Sequence, residues 1–280
     1  MSAIEIANVQ HITRSAIRTW RYAGANQIPP DEERRPVSIL GLAQSLGKPF
    51  ETTRNHVNEL IKDGLCVKTP AGIMIPSNVL QAPKVVASEA VLWTAFWRMI
   101  DDMKALEFDF EAITGEDGLP SNLVFEADFR RAANDEQPRR LVSRVANEFY
   151  MNCIVGSTAP YKDDWLAGAV YTAVMVINAE AFSRDPEAAW RYARADTPPP
   201  DTLRRPATVR EAAERLNLNK EQVRRQVLAL LANGRMARTS EGLFATVAHM
   251  QGSQLREASD AMAKSFYRMI YDLKALGVRF

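Results

Sequence analysis

Shifted against itself by 170 positions, the sequence lays residues 1–110 over residues 171–280 without a gap. Trp20-Arg21-Tyr22-Ala23 falls on Trp190-Arg191-Tyr192-Ala193, Pro29-Pro30-Asp31 on Pro199-Pro200-Asp201, and Arg34-Arg35-Pro36 on Arg204-Arg205-Pro206. Toward the end Phe96, Arg98-Met99-Ile100, Asp102 and Lys104-Ala105-Leu106 meet Phe266, Arg268-Met269-Ile270, Asp272 and Lys274-Ala275-Leu276. Nearly one position in three is identical, well above chance. A duplicated unit of this size must bury its own apolar face twice, which limits the fold to two copies of one supersecondary unit. A length of 280 residues suits two domains of ordinary size. The reading is therefore a first repeat over 1–110, a linker and connecting helix over 111–162, and a second repeat over 163–280.

Within each repeat the local signals follow one order. Ile39, Leu42, Ala43 and Leu46 share a face of a short helix over Val37–Leu46, which Gly47-Lys48-Pro49 then breaks. A second helix over 50–63 turns Thr53, Val57, Leu60 and Ile61 inward, and Gly64 stands where a helix ends in positive φ. Leu65–Thr69 and Ile73–Pro76 then flank Pro70-Ala71-Gly72 as a two-stranded hairpin. The second repeat agrees. Val209, Ala212, Ala213 and Leu216 form the first face, and Asn217-Leu218-Asn219 the turn. Val223, Val227, Leu230 and Leu231 line a helix over 220–233, with Gly234 at its end. Arg235–Thr239 and Leu243–Thr246 flank Ser240-Glu241-Gly242. Helix, tight turn, helix, hairpin is the winged helix-turn-helix order. The expected class is mainly α with small β-hairpin wings, two such domains in tandem plus long flanking helices.

The exposed positions of the second helix decide what such a unit can read, because the major groove admits one helix and distinguishes every base pair. They are Glu51, Thr52, Arg54, Asn55, His56 and Asn58 in the first repeat. In the second they are Lys220, Glu221, Gln222, Arg224, Arg225 and Gln226. Lys48 precedes the second helix of the first repeat, and Lys68 and Arg238 sit on the hairpins as candidate phosphate or minor-groove contacts. A formal net charge of +1 says little, but the charge is uneven. Residues 34–68 carry six Lys/Arg against three Asp/Glu, and residues 204–238 carry nine against three. Phosphate attraction would gather on these two segments.

Asn219-Lys220-Glu221-Gln222-Val223-Arg224-Arg225 resembles the S-R-E-T-V-S-R start of the recognition helix in Crp/Fnr-type regulators. The resemblance implies that Lys220, Glu221 and Arg225 take the positions that family uses on base edges and phosphates. In the first repeat Glu51-Thr52 matches the E-T pair, while Phe50 and Asn55 stand at the two basic positions. Nothing in the chain looks like that family's β-rich cyclic-nucleotide domain, so no nucleotide effector is implied and no cofactor is expected. MarR-like regulators share the winged core and resemble the chain equally in their long flanking helices.

Those helices are read over 87–106 and 259–276. Leu92, Phe96, Met99, Met103 and Leu106 form one stripe; Met262, Phe266, Met269, Leu273 and Leu276 form its equal. Trp93, Trp97 and Ile100 widen the first, and a helix apolar on two sides must lie between partners. Pairing is expected through these helices, between the repeats as a pseudo-dimer or between two chains as a homodimer.

Other classes find little support. Cys66 and Cys153 form no CxxC, and His11, His56 and His249 no metal-binding spacing, so no metal is expected. Cys66 reads as a strand core residue, Cys153 as a helix core residue and His56 as a surface one. The residues give no phosphate-binding glycine loop and no nucleophile motif, which disfavours an enzyme. The start, MSAIEIANVQ, lacks a secretory pattern. Trp165–Ala179 is shorter than the roughly 20 residues a bilayer needs. A cytoplasmic, nucleoid-associated transcription regulator binding double-stranded DNA is the leading expectation. A plasmid- or phage-type replication or partition protein, and a winged-helix adaptor binding only protein, remain open.

Overall fold

In the computed structural model, residues 1–127, 129, 138–161, 164–194 and 197–280 are described. The proposed boundary at 162/163 and the linker signals at 135–137 lie outside them. The chain is mainly helical with two small antiparallel hairpins. The first repeat runs α1 (Ser2–Thr13), α2 (Ala16–Arg21), α3 (Ile39–Leu46), α4 (Phe50–Lys62), β1 (Val67–Thr69), β2 (Gly72–Met74), α5 (Ser77–Leu80) and α6 (Pro83–Ala105). The connecting helix is α7 (Arg139–Thr158). The second repeat runs α8 (Trp165–Ala179), α9 (Pro186–Arg191), α10 (Val209–Leu216), α11 (Lys220–Ala232), β3 (Met236–Arg238), β4 (Leu243–Ala245), α12 (Val247–Met250) and α13 (Ser253–Ala275). Among the described residues no helix is long and apolar enough to cross a membrane.

Two compact units form, and they do not follow the repeat boundaries. One holds Met1–Met99, Ala112–Met151 and Ser265–Phe280; the other holds Ile100–Glu111 and Asn152–Lys264. Each repeat thus surrenders the end of its long helix to the unit containing the other. In the first unit the Trp20 indole donates to the Leu276 carbonyl at 3.0 Å. In the second the Trp190 indole donates to the Leu106 carbonyl at 2.6 Å. The donors are equivalent repeat positions, and so are the acceptors.

The core of the first unit gathers Ile4, Leu42, Val57, Cys66, Ile73 and Ile75. Its repeat equivalents, Val174, Ala212, Val227, Met236, Leu243 and Ala245, are all core in the second. Only Val57 and Val227 are the same residue, so volume lost in one pair (Leu42 to Ala212) is regained in another (Cys66 to Met236).

Gly47 and Asn217 end α3 and α10 in the left-handed conformation, at φ 61° and 50°. That reversal sets the next helix across the first. Thr208 and Glu211 add a reciprocal capping box to α10. The hairpins pair Thr69 with Gly72 and Arg238 with Leu243 at their tips. Val37, expected in the first helix, instead bridges Ile73 in antiparallel fashion, and Ala207 bridges Leu243. The helix begins only at Ile39, with Ser38 capping it. This third strand position explains Gly72 and Gly242. A Cβ on Gly72 would meet the Val37 carbonyl at 2.5 Å, and one on Gly242 the Ala207 carbonyl at 2.8 Å.

The long helices also start earlier than expected, at Pro83 and Ser253 rather than 87 and 259. The segment before α7 is no bare linker. Val124 pairs with Ser15, and the Glu126 carboxylate accepts from the Ser15 hydroxyl and the Ile17 amide at the start of α2.

The second unit gathers Tyr161, Tyr171 and His249 in an aromatic cluster. His249 Nε2 lies 3.1 Å from the Tyr161 hydroxyl, and the Arg235 guanidinium sits 4.7 Å above the Tyr161 ring. Burial, joined by the Arg235 charge, holds the His249 pKa below 6.5. Folding therefore favours neutral imidazole, and stability complete above pH 6.5 is lost as pH falls through the lower folded value. Between pH 7 and 5 the thermal midpoint of the second unit should fall by about 1–2 °C more than in His249→Gln. Equal pH dependence in the two proteins would remove this assignment.

Candidate nucleic-acid interface

The exposed faces of α4 and α11 carry the polar residues read from the sequence. Thr53 and Val57 are buried in α4, and Val223, Val227 and Leu230 in α11. That leaves Glu51, Thr52, Arg54, Asn55, His56 and Asn58 in the open on one helix, and Lys220, Glu221, Gln222, Arg224 and Arg225 on the other. Gln226 is half-buried, its amide 3.4 Å from Asp164 Oδ2. Lys48 is also half-buried, at a position where the second repeat has Leu218. Lys68 and Arg238 are exposed at equivalent register positions of β1 and β3.

One ion pair recurs. Arg54 meets Glu51 at 2.6 Å, and Arg224 meets Glu221 at 2.7 Å, both one turn into the helix. In α11 the same carboxylate also faces Arg225 at 3.4 Å. The Arg224 hydrogen bond leads in holding the Glu221 carboxyl down at about 2. Glu221 therefore stays charged across the physiological range and fixes the two guanidinium groups side by side. Asn219 caps the helix through the Glu221 amide at 2.8 Å. The α4 cap is Pro49, which offers no side-chain acceptor.

The local charge excess counted in the sequence overstates what faces solvent. Arg204 is buried, donating to Asp201, to Asn178 and to the Ala245 carbonyl. Arg205 is held by Glu180 at 2.7 Å and by Glu211 at 2.6 Å, and Arg215 by Glu180. Arg235 covers Tyr161. What remains exposed is Arg210, which faces Glu214 at 3.6 Å, together with Lys220, Arg224, Arg225 and Arg238. A further difference escaped the sequence reading: Leu228, equivalent to Asn58, is exposed. The polar face of α11 is thus confined to its first two turns.

Sequence reasoning also missed a matched pair of buried amides. Asn8 Nδ2 donates to the carbonyls of Arg35 at 2.8 Å and Ile73 at 3.1 Å, and its Oδ1 accepts from the Ile75 amide at 3.0 Å. Asn178 repeats this on Arg205, Leu243 and Ala245 at 2.7, 3.0 and 2.9 Å. Each amide ties the helix before the motif to its hairpin, and so fixes the hairpin beside the exposed helix. The signal was present, since both asparagines are identical positions of the repeat.

Compared with family models, curated proteins and solved structures, the chain matches none. Its class must be argued from the residues themselves.

Proposed function

We propose that the chain is a sequence-specific binder of double-stranded DNA, a transcriptional regulator of bacterial type built from two winged helix-turn-helix units. One observation supports this most. At the same repeat positions, each unit presents a helix with a polar, cation-bearing first half, directly after a left-handed turn and directly before a hairpin that carries Lys68 or Arg238. A helix so presented can enter the major groove, with side chains of its first turns on base edges and the hairpin along the backbone. Lys220, Gln222, Arg224 and Arg225 would read one half-site, with Glu221 orienting the two arginines. Thr52, Arg54, Asn55 and Asn58 would read the other, more weakly, with Lys48 beside them. The exchange of helix ends supports one chain carrying both half-sites through its long helices. A cytoplasmic, nucleoid-associated location belongs to the same reading. The exposed Leu228 favours a second one, an adaptor that docks on protein.

Selection from random duplexes, repeated with Arg225→Ala and with Arg54→Ala, tests the proposal. Arg225→Ala should lose about 1–3 kcal/mol of discrimination at one base position, and Arg54→Ala less. Removing Arg238 should weaken all sequences alike and flatten the salt dependence by about one phosphate contact. Failure of the unaltered chain to bind any duplex at low salt would leave the adaptor reading.

A further inference from the structure

Helix α8 carries no charged residue in its 15 positions, Trp165–Ala179. A helix apolar all round has to be covered on both sides. One side is covered: Ala167, Val170, Tyr171, Val174 and Ile177 belong to the core of the second unit. The other side is open. Trp165 is 56% exposed and Val176 41%, with Ala169, Thr172 and Ala179 half-buried along the same line. The end of α7 meets this helix only on its flank, where a Cβ on Gly168 would lie 2.5 Å from the Ser157 carbonyl. The open residues fall at 165, 169, 172, 176 and 179, in steps of four and three. That is the seam spacing of two helices packed along their length.

The first repeat shows such a face covered by a helix. Its equivalents of Val176 and Ala179 are Ile6 and Val9 on α1, which line one narrow gap with Leu141 and Val145 of α7. Val9 is buried there and Ile6 half-buried. Arg144 fastens α7 in place by donating to the carbonyls of Thr19 and Tyr22 at 3.1 and 2.7 Å. In the second unit no helix among the described residues takes that place on α8, and Val176 stays open.

We propose that a second copy of the chain covers this face, the two α8 helices packing antiparallel about a two-fold axis at Thr172. A two-fold interface must be complementary to itself, and this seam is. Trp165 falls opposite Ala179 of the other copy, Val176 beside Ala169, and Thr172 opposite its own counterpart. Large side chains therefore meet small ones, and no charge is buried along the seam. Glu180, just past its end, is already neutralised by Arg205 and Arg215. The contact is distinct from pairing through α6 and α13, and it stands independently of the DNA-binding reading. A seam of about four turns lies at the small end of stable interfaces, so the dimer should dissociate in the micromolar range.

Sedimentation of the full chain across that range should show a monomer–dimer equilibrium. Because Val176 is exposed, Val176→Glu should leave the thermal midpoint unchanged while weakening association about tenfold or more. Thr172→Cys should link two copies on mild oxidation, since the axis sets the two β-carbons at that position face to face. Cys153→Ser removes the half-buried native thiol from this experiment, and Cys66 is buried. Val91→Cys, at a 68% exposed position of α6, should give no such link. A chain that stays monomeric at every concentration would overturn the proposal. So would a dimer that cross-links at position 91 and not at 172, or one that Val176→Glu leaves intact.

Discussion

Replacing Asn178 with leucine should cost the second unit about 3–5 kcal/mol, enough to unfold a marginal domain. The side chain is 2% exposed and every polar atom on it is used. Leucine fills the space but orphans the Ala245 amide and removes a partner from the Arg205 carbonyl, at about 1–3 kcal/mol for each buried group. It also takes an acceptor, 3.3 Å away, from the buried Arg204 guanidinium. The Leu243 carbonyl suffers least, because the Ala207 amide still donates to it. Asn8→Leu should cost the first unit somewhat less, since the Arg34 guanidinium, equivalent to Arg204, makes no hydrogen bond to Asn8. Chemical denaturation followed by amide exchange resolved to each unit checks the order. A loss for Asn178→Leu no larger than that of the surface change Arg210→Ala would overturn the account.

These amides mark where the sequence stopped being legible. Helical and strand patterns are local, so α4 and α11 were placed to within a residue and both hairpins were found. The exposed faces came with them, because a 3.6-residue period that buries Val57 and Val223 must turn Asn55 and Arg225 outward. Partners far along the chain were not readable. Asn178 reaches Leu243 and Ala245 across more than sixty residues, and Glu180 neutralises Arg205 and Arg215 from another helix. The single bridge at Val37 shows no alternation, so a β-branched residue beside a helix start was absorbed into the helix. Ser253–Ser259 lacks an apolar stripe, which hid the first turns of α13. Identity between repeats was the unused clue. Asn8, Asp31, Arg34 and Gly72 equal their partners where neighbouring core residues vary, because hydrogen bonds and close backbone approach tolerate fewer substitutes than apolar volume does.

The exchanged helix ends lead to the other large effect. Trp20→Ala should destabilise the first unit by about 3–5 kcal/mol, the range for truncating a buried aromatic. Trp20 is 5% exposed, and its indole holds the Leu276 carbonyl, just past the chain's final helix and 256 residues away. Removing it opens a void and frees the Leu276 carbonyl at once. Trp190 makes the equivalent bond and stacks on Phe108 with ring centres 6.3 Å apart, but it is 52% exposed. Its truncation forfeits far less burial and should cost about 1–2 kcal/mol. Trp20→Phe separates the two contributions, keeping most of the volume and losing the donor for about 1–1.5 kcal/mol. Amide exchange should accelerate across Ser265–Phe280 in Trp20→Ala before the rest of the first unit responds, because that segment is held from the far end of the sequence. Should those amides keep their original protection while α3 and α4 lose theirs, Trp20 would be a core residue of the first repeat and not the anchor of the exchanged helix.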